Sequence, residues 1–290
     1  MTGAAPLPRR RTFDPLSALL ARICPSLPRT ALSLACASGA LRNRFTRRWP
    51  TPEEVATLFP HLSARGARNV ATAIGALEER NEVLVRSIRR TGVETLRPLV
   101  SPSPALARLT APCILGTFHV GALHTIGVAL EAAGRPVLAF REGVLFTPRA
   151  PIEVQSTAGN EQERAAAFLR ALAQLRRGGI VLMSLDMPRG AVIETSCLAQ
   201  QLPLARGAFA LAQRSGAAIV PTVVRWRGAH AEVEIDAPLQ VPATVDRSGD
   251  PAAFERRLAQ SAASWLERYL QRAPHELTLG LLRELLYARP

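Results

Sequence analysis

The sequence contains no lysine: all 36 residues of its Lys+Arg total are arginines. That excludes a phosphate-binding P-loop, a Schiff-base lysine and any other chemistry that needs a lysine amine. Cysteine is scarce too. Cys24, Cys36, Cys113 and Cys197 are scattered without C-x-x-C spacing, so neither a zinc framework nor a disulfide scaffold follows. Buried free thiols in a reducing compartment are the expectation. Only Phe13, Phe45 and Trp49 stand among or beside the N-terminal arginines, short of the stacking platform of single-strand nucleic-acid binders. Long apolar runs are also missing. No stretch reaches the roughly 18 consecutive apolar residues of a spanning helix. Segments 16–23 and 31–41 come nearest, and Arg22, Pro25, Pro28 and Arg29 interrupt them. Arg22 also ends the first run too early for a signal peptide.

What remains is a globular composition, 290 residues with 48% hydrophobic and 20% charged side chains. That is enough for one large α/β domain or two small ones. The net charge of +13 is unevenly spread: residues 1–50 hold nine arginines against one acid, Asp14. Such a patch attracts polyanions, whether nucleic acid, anionic lipid headgroups or an acidic carrier protein. Coding bias would put arginine in place of lysine without making the protein a polyanion binder, but the excess of charge would still need explaining. Just after the triplet Arg9, Arg10 and Arg11, residues Leu16, Leu19, Leu20 and Ile23 fall at i, i+3, i+4 and i+7. This is the pattern of a basic interfacial helix, and equally of an ordinary helix packed on its own domain.

Three regions follow from the patterning: a basic arm at 1–50, a helical region at 51–105 and an α/β domain at 106–290. Thr51-Pro52-Glu53-Glu54 is a helix start with a capping box, and a longer helix covers about 64–90. From Pro112 strands and helices alternate. Strands are expected at 113–118, 137–140, 152–155, 180–185, 218–225 and 231–235. Helices fall between them at 121–133, after the Asn160 cap, and at 207–214. In the Asn160 helix the expected buried stripe is Ala165, Phe168, Leu169 and Leu172. A last long helix opens at Asp250-Pro251, buries Phe254, Leu258, Trp265 and Tyr269, and closes at Pro274. Strands separated by helices of this length predict a mostly parallel central sheet covered by helices on both faces.

Active sites in such sheets lie at the carboxyl ends of strands. His119 occupies one such end, directly after Gly116-Thr117-Phe118, with Gly121 behind it so that a substrate can approach. That placement suits a general base. Asp186 holds the same position after the strand at 180–185, while Arg141 and Arg149 follow the second strand and Arg189 follows Asp186. A histidine, an acid and bidentate arginines fit transfer to a hydroxyl near a phosphate. No H-E-x-x-H or third nearby ligand accompanies His119 and His124, so no metal and no cofactor is expected. Ser184, Ser196 and Ser215 are not in a G-x-S-x-G elbow.

The segment Gly116-Thr117-Phe118-His119-Val120-Gly121-Ala122-Leu123-His124 resembles the first block, H-x-x-x-x-(D/E), of the lysophospholipid acyltransferase superfamily. The likeness is greatest to the bacterial late acyltransferases of lipid A biosynthesis. Gly143-Val144-Leu145-Phe146-Thr147-Pro148-Arg149 is similar to the family's G-x-x-F-x-x-R block, and Leu185-Asp186 to the Asp after its strand. Leu58-Phe59-Pro60-His61-Leu62-Ser63, the stretch 205–221 and Pro274-His275-Glu276-Leu277 match further segments in order, so the resemblance spans about 58–280. It implies an acyltransferase at the cytoplasmic face of the inner membrane, peripheral to it. The fatty acyl group would pass from acyl carrier protein or coenzyme A to a hydroxyl, or an amine, of a lipid or glycolipid. His119 would be the general base. Arg149 would hold a phosphate or the phosphopantetheine arm, with Arg141 and Arg189 in support. Nucleic acid is not an expected partner.

The chain departs from the family where the acid should stand, because position 124 is histidine. A neutral imidazole can orient another ring but cannot offset the imidazolium that forms. Three readings stay open: Asp186 or Glu142 supplies the acid from another strand end, His124 suffices with an activated thioester, or transfer is impaired. In the last case the protein is a homologue that binds lipid or acyl carrier. The residue after Asp186 is Met187 where the lipid A branch has Gln.

Overall fold

A computed structural model describes residues 49–91, 93–134, 136–141, 152–156, 160–188, 190–228, 230–240 and 250–287. The basic arm up to residue 48, Glu142, the block at 143–149 with Arg149, and Arg189 lie outside them. The fold is α/β. Five parallel strands and one antiparallel edge strand form the central sheet, ordered β3-β2-β4-β1-β7-β8. These are β1 (Cys113–Thr117), β2 (Val137–Arg141), β3 (Ile152–Ser156), β4 (Ile180–Ser184), β7 (Ala218–Arg227) and β8 (His230–Ile235). A separate antiparallel hairpin joins β5 (Val192–Cys197) to β6 (Gln200–Ala205).

Because successive side chains of a strand point to opposite faces, the central strands feed two cores. Ile114, Val181 and Ile219 enter the larger one, which also holds α1 (Pro52–Leu58), α2 (Ala64–Thr91), α5 (Glu161–Arg176) and α6 (Arg206–Ser215). The hairpin, α7 (Pro251–Arg272) and α8 (Leu279–Tyr287) complete that layer. Cys113, Leu115, Val220 and Val224 face the smaller core, under α3 (Pro104–Ala107) and α4 (Ile126–Ala132). Helix starts follow their caps. Thr51 with Glu54 and Asn160 with Glu163 each form a complete capping box, and Asp250 accepts from Ala252 at the start of α7. Phe254, Leu258, Trp265 and Tyr269 are buried on α7, with Trp265 stacked between Phe118 and Tyr269.

Two expectations need correction, and one element adds to them. The buried face of α5 is Ala167, Ala171, Leu172 and Leu175, while Leu169 is 62% exposed. Small alanines let this helix approach its neighbours closely; Leu172 and Leu175 stay buried with them, while Leu169 is turned outward. No single helix spans 121–133: Gly121 has φ +58°, and a 3-10 turn at Leu123–Thr125 precedes α4. The hairpin of β5 and β6 went unforeseen. Its two-residue turn puts Leu198 (φ 52°) and Ala199 (φ 57°) in the left-handed region, where glycine or asparagine is the usual signal.

Candidate active site

In the parallel register of the two central strands, Thr117 on β1 lies opposite Ser184 on β4. Both chains then run on for two residues, which brings His119 and Asp186 side by side. The Asp186 carboxylate is engaged at both oxygens. Its Oδ2 accepts the His119 backbone N–H at 2.7 Å, and its Oδ1 meets His119 Nδ1 at 2.8 Å. Ser184 Oγ donates to the same Oδ1 at 3.0 Å and stands 3.2 Å from His119 Nδ1. The two side chains differ in exposure, His119 being 32% exposed and Asp186 1%. Burial on its own would raise the Asp186 carboxyl. The imidazolium charge of His119 and the hydrogen bonds from its ring, its backbone and Ser184 overcome that and hold it below the ordinary carboxylate range. Asp186 is therefore ionised at neutral pH and fixes the proton of a neutral His119 on Nδ1, leaving Nε2 as the nitrogen that accepts.

The loop that carries His119 is tied down from three directions. Thr278 Oγ1 donates to the His119 carbonyl at 2.5 Å, and Val120 bridges to Leu277. Gly121 N–H donates to the Glu276 carbonyl at 2.8 Å, and Asn81 Nδ2, from α2, donates to the Gly121 carbonyl at 3.1 Å. Ala122 N–H donates to Val224 of β7 at 2.7 Å. This packing explains the glycine. A Cβ at position 121 would stand 2.2 Å from the Val224 carbonyl oxygen and 2.7 Å from Glu276 Oε2, at a φ that disfavours any side chain. Gly121 is buried against the sheet and is not on the cavity wall, so the expectation that it opens space for substrate is corrected: what it admits is the backbone of β7.

His119 opens onto a cavity of about 460 Å³ between the sheet's carboxyl edge and the helices α5 and α6. Its walls are mainly apolar, with Phe140, Phe168, Leu182, Met183 and Leu211 among them. Thr117, His119, His124, Ser184, Arg164 and Arg206 are its hydroxyl, imidazole and guanidinium groups, and among the described residues no acid lines it. Arg206, the first residue of α6, is held through Nε by the buried carboxylate of Glu255 at 2.6 Å. His124 thus shares the cavity with His119, but the carboxylate paired with His119 comes from the end of β4. Arg141 ends β2.

Arg164, Arg206, Ser184 and Thr278 were not among the sequence's site candidates. Ser184 had a local signal, two residues before Asp186 at a strand end. The arginines sit in the first turns of helices and nothing in their neighbourhood marks them. Among the described residues no three His, Cys, Asp or Glu gather where a metal could bind, and none of the helices there is long and apolar enough to cross a membrane. No protein-family model matches the chain, and no curated protein matches it.

Proposed function

We propose that this chain transfers a fatty acyl group from the thioester of acyl carrier protein or coenzyme A to a lipid or glycolipid hydroxyl. The observation that carries the reading is a histidine backed by a buried, ionised carboxylate at the wall of a largely apolar cavity. The cavity has the size and lining of a site for a small apolar ligand, such as one acyl chain, and the histidine stands where a thioester carbonyl can meet an acceptor. In the reaction His119 Nε2 takes the proton of the acceptor hydroxyl as its oxygen attacks the thioester carbon. The tetrahedral adduct collapses with cleavage of the carbon–sulfur bond, and the imidazolium returns its proton to the departing thiolate. Asp186 holds the ring tautomer and offsets the imidazolium charge, the role that position 124 cannot fill. Arg164 and Arg206 supply cations for a phosphate on donor or acceptor. The protein would work as a peripheral protein on an anionic membrane surface, with the N-terminal arginines contributing to attachment.

The test is release of free thiol from acyl carrier protein and coenzyme A thioesters, with and without a bacterial lipid extract. Wild type and His119→Ala run side by side, with mass spectrometry of the lipids. Lipid-dependent release that the substitution abolishes supports the reading, and the spectrum names the acceptor. Absence of release from a folded wild type overturns it in favour of a scaffold that binds lipid or acyl carrier.

A further inference from the structure

The segment after Pro274 is remote in sequence from His119, yet its Thr278 makes a hydroxyl contact to that residue's backbone. The Thr278 hydroxyl bonds on two sides. Its Oγ1 donates to the His119 carbonyl across 159 positions and accepts from Leu281 N–H at 3.4 Å in the first turn of α8. Leu279 N–H, one residue on, donates to the half-buried carboxylate of Glu78 from α2. The start of α8 is thereby fixed to α2 on one side and to the histidine on the other.

We infer that Thr278 is a positioning residue for His119, so that the start of α8 forms part of the active site; this rests on the reading of His119 as the base. His119 is held at its amide by Asp186, at its ring by Asp186 and at its carbonyl by Thr278. The first two anchors share one carboxylate. Those two hold the residue from the side of β4, and the Thr278 bond holds it from the side of α8, so that the direction of Nε2 into the cavity depends on both. It does not line the cavity, and substrate binding does not depend on it.

Several charged groups share this neighbourhood and bear on any pH profile. Asp186 faces the ring directly, and Glu78 on α2 interacts with both His119 and Arg283 of α8. His124, Arg164 and Arg206 stand on the same cavity wall. Glu276, against Gly121, is paired with Arg225 of β7. Exchanging Thr278 for another uncharged residue adds or removes none of these charges.

The experiment compares the full chain with Thr278→Val, Thr278→Ser and Leu285→Ala. The last loosens α8 at a buried position away from His119. Two readouts are taken: kcat and KM for a medium-chain acyl-coenzyme A with lipid extract, and nitrogen NMR of the histidine rings, of which the chain has only five. His119→Gln identifies the relevant signal. Thr278→Val should lower kcat by about tenfold or more with KM unchanged, as small misplacements of a reacting group do. It should also broaden or shift the His119 ring resonances. Thr278→Ser should restore both, and Leu285→Ala should leave the ring signals as in wild type even where it lowers the melting temperature. Unchanged His119 signals in Thr278→Val, or a serine variant as impaired as the valine, overturns the inference. Failure of the acyltransferase reading is separable, because it appears as wild-type inactivity while the NMR comparison still decides whether Thr278 holds the ring.

Discussion

Replacing Asp186 with asparagine is the most demanding test of the site, because the side chain keeps its shape while both of its functions fail. The carboxylate accepts two N–H bonds from His119, at 2.7 and 2.8 Å, and a hydroxyl from Ser184 at 3.0 Å. An amide has one accepting oxygen. If that oxygen serves the His119 backbone, the NH2 faces Nδ1 and forces the ring proton onto Nε2, the atom that must accept. If it serves Nδ1, the NH2 collides with the backbone N–H. In either orientation one of the two His119 bonds is lost, and a hydrogen bond to a charged group is worth about 1.5–3 kcal/mol. A triad acid replaced by its amide loses about 10⁴-fold in kcat, or about 5 kcal/mol, more than the bond alone, because the wrong tautomer also removes the accepting nitrogen. The expected result is a kcat lower by about three to four orders of magnitude, with KM nearly unchanged because Asp186 does not line the cavity. Thiol release under saturating donor measures it, with circular dichroism to establish folding. Since the Asp186 carboxyl lies below its ordinary range, it stays ionised throughout a pH 5–9 profile, and no limb there is its own. Its stabilising contribution is complete above its unfolded value near 3.9 and is lost as pH falls through the depressed folded value. Less than a tenfold loss in a folded variant would refute the pairing as the source of catalysis.

Three other substitutions probe the surroundings. Arg206→Gln should raise KM for acyl-coenzyme A severalfold and leave kcat largely intact, because the arginine lines the cavity while its Nε is held by Glu255; an unchanged KM in steady-state kinetics removes it from phosphate recognition. Gly121→Ala should fail to accumulate as folded protein, or melt far below wild type, since its Cβ would meet the Val224 oxygen at 2.2 Å; a melting temperature within a few degrees of wild type contradicts the packing. Glu78 is pushed above the ordinary carboxylate range by burial, with the Leu279 N–H opposing. The wild type therefore loses stability as pH rises from about 4.5 through the raised folded value, and Glu78→Gln does not. Melting curves at pH 5 and pH 8 should show the glutamine variant gaining on wild type at the higher pH; a difference independent of pH counts against a half-buried, charged Glu78.

The strands were legible because buried parallel strands are short apolar runs bounded by breakers: Cys113–Thr117 and Ile180–Ser184 could hardly be anything else. Caps were legible because their chemistry is local, as at Asn160 and Glu163. The α5 stripe misled because the sequence weights bulk. In an alanine-rich helix the small residues, Ala167 and Ala171, can be the ones in contact. The hairpin of β5 and β6 hid because its turn is made by Leu198 and Ala199, which carry no turn signal, and because Glu194, Gln200, Gln201 and Pro203 obscure its alternation.

The acid's position shows where one-dimensional reading stops. A motif counted along the chain places a partner five residues after His119, on the same loop, and finds His124. The sheet offers a second route to the same geometry. Adjacent parallel strands in register deliver their continuations to one place, so a residue two beyond Thr117 meets a residue two beyond Ser184 whatever separates them in sequence. Position 124 is then released from the acid's role while remaining on the cavity wall. A carboxylate restored at that position would add a second negative charge beside a histidine already served by one. If the pairing carries catalysis, His124→Glu brings no large gain in kcat. A gain of about a hundredfold or more, of the size that a missing triad acid commands, would mean that Asp186 is structural and that the wild type lacks its acid.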